Sequence, residues 1–118
     1  MTTILDVEAF LSDFRIKSGV FGLVFRDTRQ KNTQALFDLE LTGAKRLDIV
    51  KSIIAKDYSE GPIDDNLFGI ASLWVFGKKY KDQEIYIKIS MGQKNDQTIC
   101  ISFHCAEHPI KYPLKLIL

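Results

Sequence analysis

Cysteine, proline and charge imbalance are all scarce in this chain. Its 118 residues hold two cysteines and three prolines, with 16 basic against 15 acidic side chains. Cys100 and Cys105 lack a CxxC spacing, which excludes a disulfide framework and points to reduced thiols. A net charge of +1 lays no basic footprint over the whole surface. Contact with nucleic acid would have to come from a local patch such as Lys78, Lys79, Lys81 and Lys88. No apolar run approaches the ~18 residues of a membrane span. The first residues lack a basic segment followed by an apolar run, so no signal peptide is expected. A Gly-rich phosphate loop, a GxSxG elbow and kinase or dinucleotide signatures are absent. The expectation is a soluble cytoplasmic protein without a membrane partner or small-molecule cofactor.

The composition is that of an ordinary globular protein, 46% hydrophobic and 26% charged. At this length residues 1–118 make one domain with one core.

Thr3 and Asp6 form a capping-box pattern ahead of Val7, Phe10, Leu11 and Phe14, a helical stripe that predicts a helix to about Lys17, ended by Ser18 and Gly19. The run VFGLVF at 20–25 has strand length and strand composition. A basic stretch at 26–31 follows, then a short helix from Thr33 to Leu39 with Asn32 as its cap. A better helix starts at Thr42, with Leu47, Val50, Ile53 and Ile54 as its buried stripe. Residues 56–66 read as a loop, punctuated by Gly61-Pro62 and by turn chemistry at Asp64, Asp65 and Asn66. Three strands follow at 71–79, 84–90 and 98–104, joined by hairpin-like turns at 80–83 and 92–96. The tail from Ala106 carries two prolines and reads as irregular. This order predicts an α+β domain: a mostly antiparallel sheet of about four strands with two to three helices on one face.

Period-2 alternation divides the strands into faces. Ile85, Ile87 and Ile89 share one side, and Glu84, Tyr86, Lys88 and Ser90 the other. The same rule puts Ile99, Ile101 and Phe103 opposite Cys100, Ser102 and His104. With the Ile face against the helices, Tyr86, Lys88 and His104 share the far face, and simple hairpin register brings them together.

Each of these residues has an ordinary reading beside its chemical one. His104 is a natural general acid or base, or a hydrogen-bonded histidine at a strand end. Tyr86 and Lys88 are catalytic or phosphate-binding groups, or parts of a solvated sheet face. As a set they offer a proton donor and cations with little carboxylate nearby, which suits binding and cleavage of a phosphodiester. Metal-dependent hydrolysis would want clustered Asp and Glu, and for Asp64 and Asp65 loop capping is the simpler role. His104, Cys105 and His108 offer ligand types for zinc, but their spacing suits a helix better than a strand end before Pro109. Trp74 stacks on a base or, as side chains of its kind commonly do, packs in the core.

The segments LWVFGK at 73–78, EIYIKI at 84–89 and CISFH at 100–104 resemble the MqsR family of bacterial toxins. That family's core is a Trp-bearing strand, a strand of the form VYLKI, and a last strand ending in VSF plus a basic residue. The segments DYSEGP at 57–62 and ISFHCAEHP at 101–109 are similar to a divergent branch of the same family. The resemblance covers roughly Asp57 to His104 and implies a RelE-like fold in a small RNase of a toxin–antitoxin pair. It implies a catalytic Tyr at Tyr86, and His104 where the family has Lys. A family Lys ahead of the Trp strand falls near Ser59 or Glu60, where no base stands; Lys56 takes that place by position only. Val75 stands where the family has Gln. On this reading the activity is metal-independent cleavage of single-stranded mRNA, held in check by a cognate antitoxin. Tyr86, His104 and Lys88 are then the catalytic residues, and Lys78, Lys56, Trp74 and Arg29 the RNA contacts. A catalytically silent binding module on the same fold, or a small zinc-binding regulator, is the alternative.

Overall fold

The computed structural model describes residues 1–65 and 71–115. Helices α1 (Ile4–Phe21), α2 (Gln30–Asp38) and α3 (Gly43–Lys51) accompany five strands: β1 (Leu23–Phe25), β2 (Tyr58–Ile63), β3 (Leu73–Tyr80), β4 (Gln83–Ser90) and β5 (Thr98–Cys105). The sheet order is β1-β5-β4-β3-β2. β1 runs parallel to β5 and every other pairing is antiparallel. The α+β class stands, with a mixed sheet of five strands in place of about four.

The helix starts follow local chemistry. Thr3 Oγ1 accepts from the Asp6 amide, and Asp6 Oδ2 accepts from the Thr3 amide at 2.8 Å. Val7, Phe10, Leu11 and Phe14 are all buried. The helix does not stop at Ser18 and Gly19; it runs to Phe21 and breaks at Gly22, whose φ of +89° suits glycine. The extra turn shortens the expected strand at 20–25 to its last three residues. Thr42 caps α3, which ends early, leaving Ile53 buried just beyond it and Ile54 exposed.

The segment expected to be a loop before Asp64 is instead the edge strand β2, with two register irregularities against β3. An edge is where a sheet tolerates proline and bulges. Asn66 lies outside the described residues.

Ile85, Ile87 and Ile89 are fully buried in one core with Phe76, Trp74, Phe103 and the helix stripes. Burying each such side chain contributes about 1.5–3 kcal/mol. Trp74 stacks on Phe10 at 4.4 Å between ring centres and meets Tyr58 edge-on. The expected split of β4 into an apolar and a polar face therefore holds. That of β5 holds only from Ser102 onward. Lys88 pairs with Ser102, but Ile89 pairs with Cys100, so Ile101 is an extra residue in β5. This bulge turns Cys100 into the core and puts Ile99 opposite Ser90 on the other face.

Candidate functional site

Beyond the bulge the strand ladder brings the polar groups together. Tyr86 is directly opposite His104, and Lys88 opposite Ser102. The Tyr86 and His104 rings stack at 5.3 Å and 17°. Lys88 Nζ lies 5.8 Å from the Tyr86 ring centre, within cation–π range.

The outer edge of β5 explains how Arg29 reaches the same place. β1 pairs only with residues 98–100. Past that point α2 saturates the edge with side chains. Asn32, fully buried, donates from Nδ2 to the carbonyls of Arg26 and Ile101 at 2.9 Å each, and its Oδ1 accepts from the Phe103 amide at 2.9 Å. Asn32 is therefore not the helix cap expected of it. Arg29 occupies that position, and its Nη1 donates to Ser102 Oγ at 2.8 Å and to the Ile101 carbonyl at 3.2 Å. A bidentate pair between Arg46 and Asp27 ties the preceding loop to α3.

The tail closes the other end of the polar face. Glu84 accepts from the Ile110 amide at 3.0 Å and from Tyr112 Oη at 2.7 Å. The Tyr112 ring lies over Gly77, where a Cβ would fall within 2.8 Å of ring carbons. Between the tail and α2 lies a cleft of about 610 Å³ that Arg29, Tyr86, Lys88, Ser102 and His104 line. Ser59 and Glu60 of β2, Lys31 of α2, and Glu107, His108 and Lys111 of the tail also line it.

Electrostatics assign roles within the cleft. His104 Nδ1 lies 3.0 Å from the Cys105 carbonyl, which can only accept, so Nδ1 is the donor of this pair and Nε2 is the ring nitrogen left for another partner. Burial, with the charge of Glu60 second, raises the Tyr86 phenol above its ordinary value, so it stays protonated at neutral pH. Burial, with the Arg29 charge second, lowers the Lys88 ammonium below the usual lysine range. A cleft lined by cations, imidazoles and a protonated phenol can bind a phosphodiester and move protons across it.

The structure thus groups Tyr86, Lys88, His104 and Arg29 and separates the remaining candidates. Trp74 is in the core, where it cannot stack on a base. Lys78 shares a strand face with Trp74 and Phe76 and pairs with Asp57 at 2.8 Å. It lines a different cavity of about 430 Å³, together with Lys56. Neither lysine reaches the cleft. Ser102 and Glu60 were missed as site residues. The alternation of β5 had already put Ser102 beside His104, whereas Glu60 was hidden by the loop reading of β2.

Both cysteines are free. Burial raises the Cys100 thiol far above its usual value, so it is no nucleophile. Among the described residues no three His, Cys, Asp or Glu side chains converge as metal ligands, and His104, Cys105 and His108 form no such group. Among the same residues no helix is long and apolar enough to cross a membrane.

No family model, curated protein or solved structure matches the chain.

Proposed function

We propose that this protein is a metal-independent endoribonuclease of the MqsR type, a toxin that cuts single-stranded mRNA in the cytoplasm and is neutralised by a cognate antitoxin protein. One observation carries the reading: Tyr86, His104, Lys88 and Arg29 line a single cleft over the polar face of the sheet. A RelE-like fold is consistent with that division between a helix-covered face and a catalytic one. In the reaction, His104 Nε2 takes the proton of a ribose 2′-hydroxyl. The 2′-oxygen attacks the adjacent phosphorus, and the bond to the 5′-oxygen breaks as Tyr86 protonates it. The products are a 2′,3′-cyclic phosphate and a free 5′-hydroxyl. Lys88 and Arg29 hold the phosphate oxygens and offset the charge that develops on them. Acid, base and charge stabilisation all come from side chains, so no metal or cofactor is called for.

Purified protein mixed with a single-stranded RNA of varied sequence in EDTA tests the proposal. The expected products end in 2′,3′-cyclic phosphate, and Tyr86→Phe slows their formation by about 10²-fold or more. RNA left uncut by the folded wild type overturns the nuclease. Glu60 gives that outcome a meaning: a carboxylate facing the cleft opposes an incoming phosphate, and a binding module that recognises a protein partner would then be the better reading.

The lowered Lys88 ammonium predicts a pH dependence. The cation that holds phosphate is present below its pKa and lost above it, and that pKa lies under the ordinary 10.5. Tyr86 remains protonated over the same range, because its pKa is raised. Affinity for a 2′-deoxy analogue, which cannot be cleaved, should therefore fall as pH rises from about 7 to 10, and Lys88→Arg should remove the fall. Titration by fluorescence anisotropy reads it, and a flat wild-type profile refutes the role given to Lys88.

A further inference from the structure

We propose that the cleft continues past His104 into a second cavity on α2, and that this cavity seats the nucleobase next to the cut phosphate. The base it selects carries an exocyclic amine. The inference rests on the endoribonuclease reading and names the part of the substrate that reading leaves open.

The second cavity measures about 310 Å³ and lies between α2 and the end of β5. Three residues line both cavities: His104, Lys31 and Glu107. Lys31 and Glu107 form an ion pair that reaches from α2 to the turn after β5. Its partners are 57% and 55% exposed, and a pair so open to water is weak. A nucleic-acid strand that offers Lys31 a phosphate can part it and join the two cavities into one groove. His104 then stands at the joint, where the scissile bond must lie.

The chemistry of the second cavity differs from that of the first. Arg29 and Lys88 make the first a phosphate site. The second is lined by Gln30, Gln34 and Asp38, which recur every fourth residue and form one stripe along α2. Gln34 Nε2 donates to Asp38 Oδ1 at 2.9 Å. That bond fixes the amide so that Gln34 Oε1 remains an acceptor, and the second carboxylate oxygen of Asp38 is another. Two acceptors side by side disfavour an anion and favour an N–H donor. Adenine, cytosine and guanine bring an exocyclic amine to such a site, whereas uracil offers only its N3–H, set between two carbonyl oxygens that the paired acceptors repel. Sequence-specific recognition of single-stranded RNA works in this way, with an unstacked base hydrogen-bonded along its edge.

The test maps cleavage positions of the wild type and of Gln34→Ala on a random-sequence RNA pool. Gln34 is an exposed helix residue, so its truncation leaves the fold in place. In the wild type one position flanking the cut should be depleted of uracil by about tenfold, and Gln34→Ala should erase that depletion while other positions keep theirs. Cleavage by the wild type with the same flanking preferences in both proteins overturns the inference and spares the nuclease. If the folded wild type cuts nothing, the nuclease reading fails separately, and binding still decides this one. Wild type that binds 2′-deoxy oligonucleotides rich in adenine and in uracil equally well overturns it. A preference for adenine that Gln34→Ala abolishes upholds it.

Discussion

His104→Ala should cut RNA about 10²–10⁴-fold more slowly than the wild type while keeping its fold. The size of the effect follows from the Nδ1 bond to the Cys105 carbonyl, which leaves Nε2 for the proton transfer proposed for it. Tyr86, held protonated, cannot take over as base, and His104 is the imidazole that the ladder sets directly against it, whereas His108 stands on the tail. The structural cost is small. The ring is half-buried at a strand end and loses chiefly its stacking on Tyr86, worth about 0.5–1.5 kcal/mol. Single-turnover cleavage beside a thermal melt separates the two effects. A folded His104→Ala protein with wild-type rate sinks the assignment. His104→Lys adds a second reading, since it places the residue that the MqsR resemblance implies at this position. A lysine there restores a cation but gives little free base at neutral pH, so binding should recover more than rate.

The parts of this site that the sequence revealed are those set by local periodicity. β4 alternates without interruption, and its division between Ile85, Ile87 and Ile89 on one side and Tyr86 and Lys88 on the other is as the chain reads. The same rule applied to β3 puts Trp74, Phe76 and Lys78 on one face. Lys78 therefore belongs with the core-facing set, and the register confirms this by pairing it with Ile85. The alternation of β3 thus argues against Lys78 as a phosphate contact. Lys56 matches the family's loop lysine by position alone, and the fold puts it beside Lys78 in the separate cavity.

Other features had no local signal. The bulge at Ile101 exchanges the faces of Ile99 and Cys100, and what satisfies it comes from α2, about 70 residues earlier in the chain. Strand β2 carries Gly61 and Pro62, which mark a turn on local chemistry and are tolerated only because the strand lies at an edge. Asn32 has the residue type of a helix cap, but the unpaired edge of β5 offers its amide two buried partners, the Arg26 carbonyl supplies a third, and together they hold it inside the helix. The tail has no periodicity at all. It is held by Glu84 and by the bare backbone of Gly77, two contacts that only the folded sheet creates.

Asn32→Ala should be the most damaging single substitution for stability, lowering it by about 2–5 kcal/mol. Asn32 is fully buried, and its loss leaves the Phe103 amide without this partner in a dry environment. The Arg26 carbonyl loses the same side chain but keeps the Arg29 amide at 3.1 Å, and that of Ile101 keeps the longer bond from the Arg29 side chain. Each stranded buried group costs about 1–3 kcal/mol, against a total stability of about 5–15 kcal/mol for a domain of this kind. The melting temperature should fall by about 10–20 °C. A fall of only a few degrees would mean that water replaces the amide and that α2 does not hold the β5 edge. Asn32→Asp distinguishes a lost hydrogen bond from lost volume. The introduced carboxylate can accept from Phe103 but cannot donate to two carbonyls, and burial would raise its pKa. The folded state then binds the proton more tightly than the unfolded chain, so the variant should gain stability as pH falls through that raised pKa, whereas Asn32→Ala should show no such recovery. Because Arg29 is one turn away on the same helix and bonds to Ser102, both variants should also weaken RNA binding at temperatures where they remain folded. That outcome would link the edge of β5 to the proposed phosphate site.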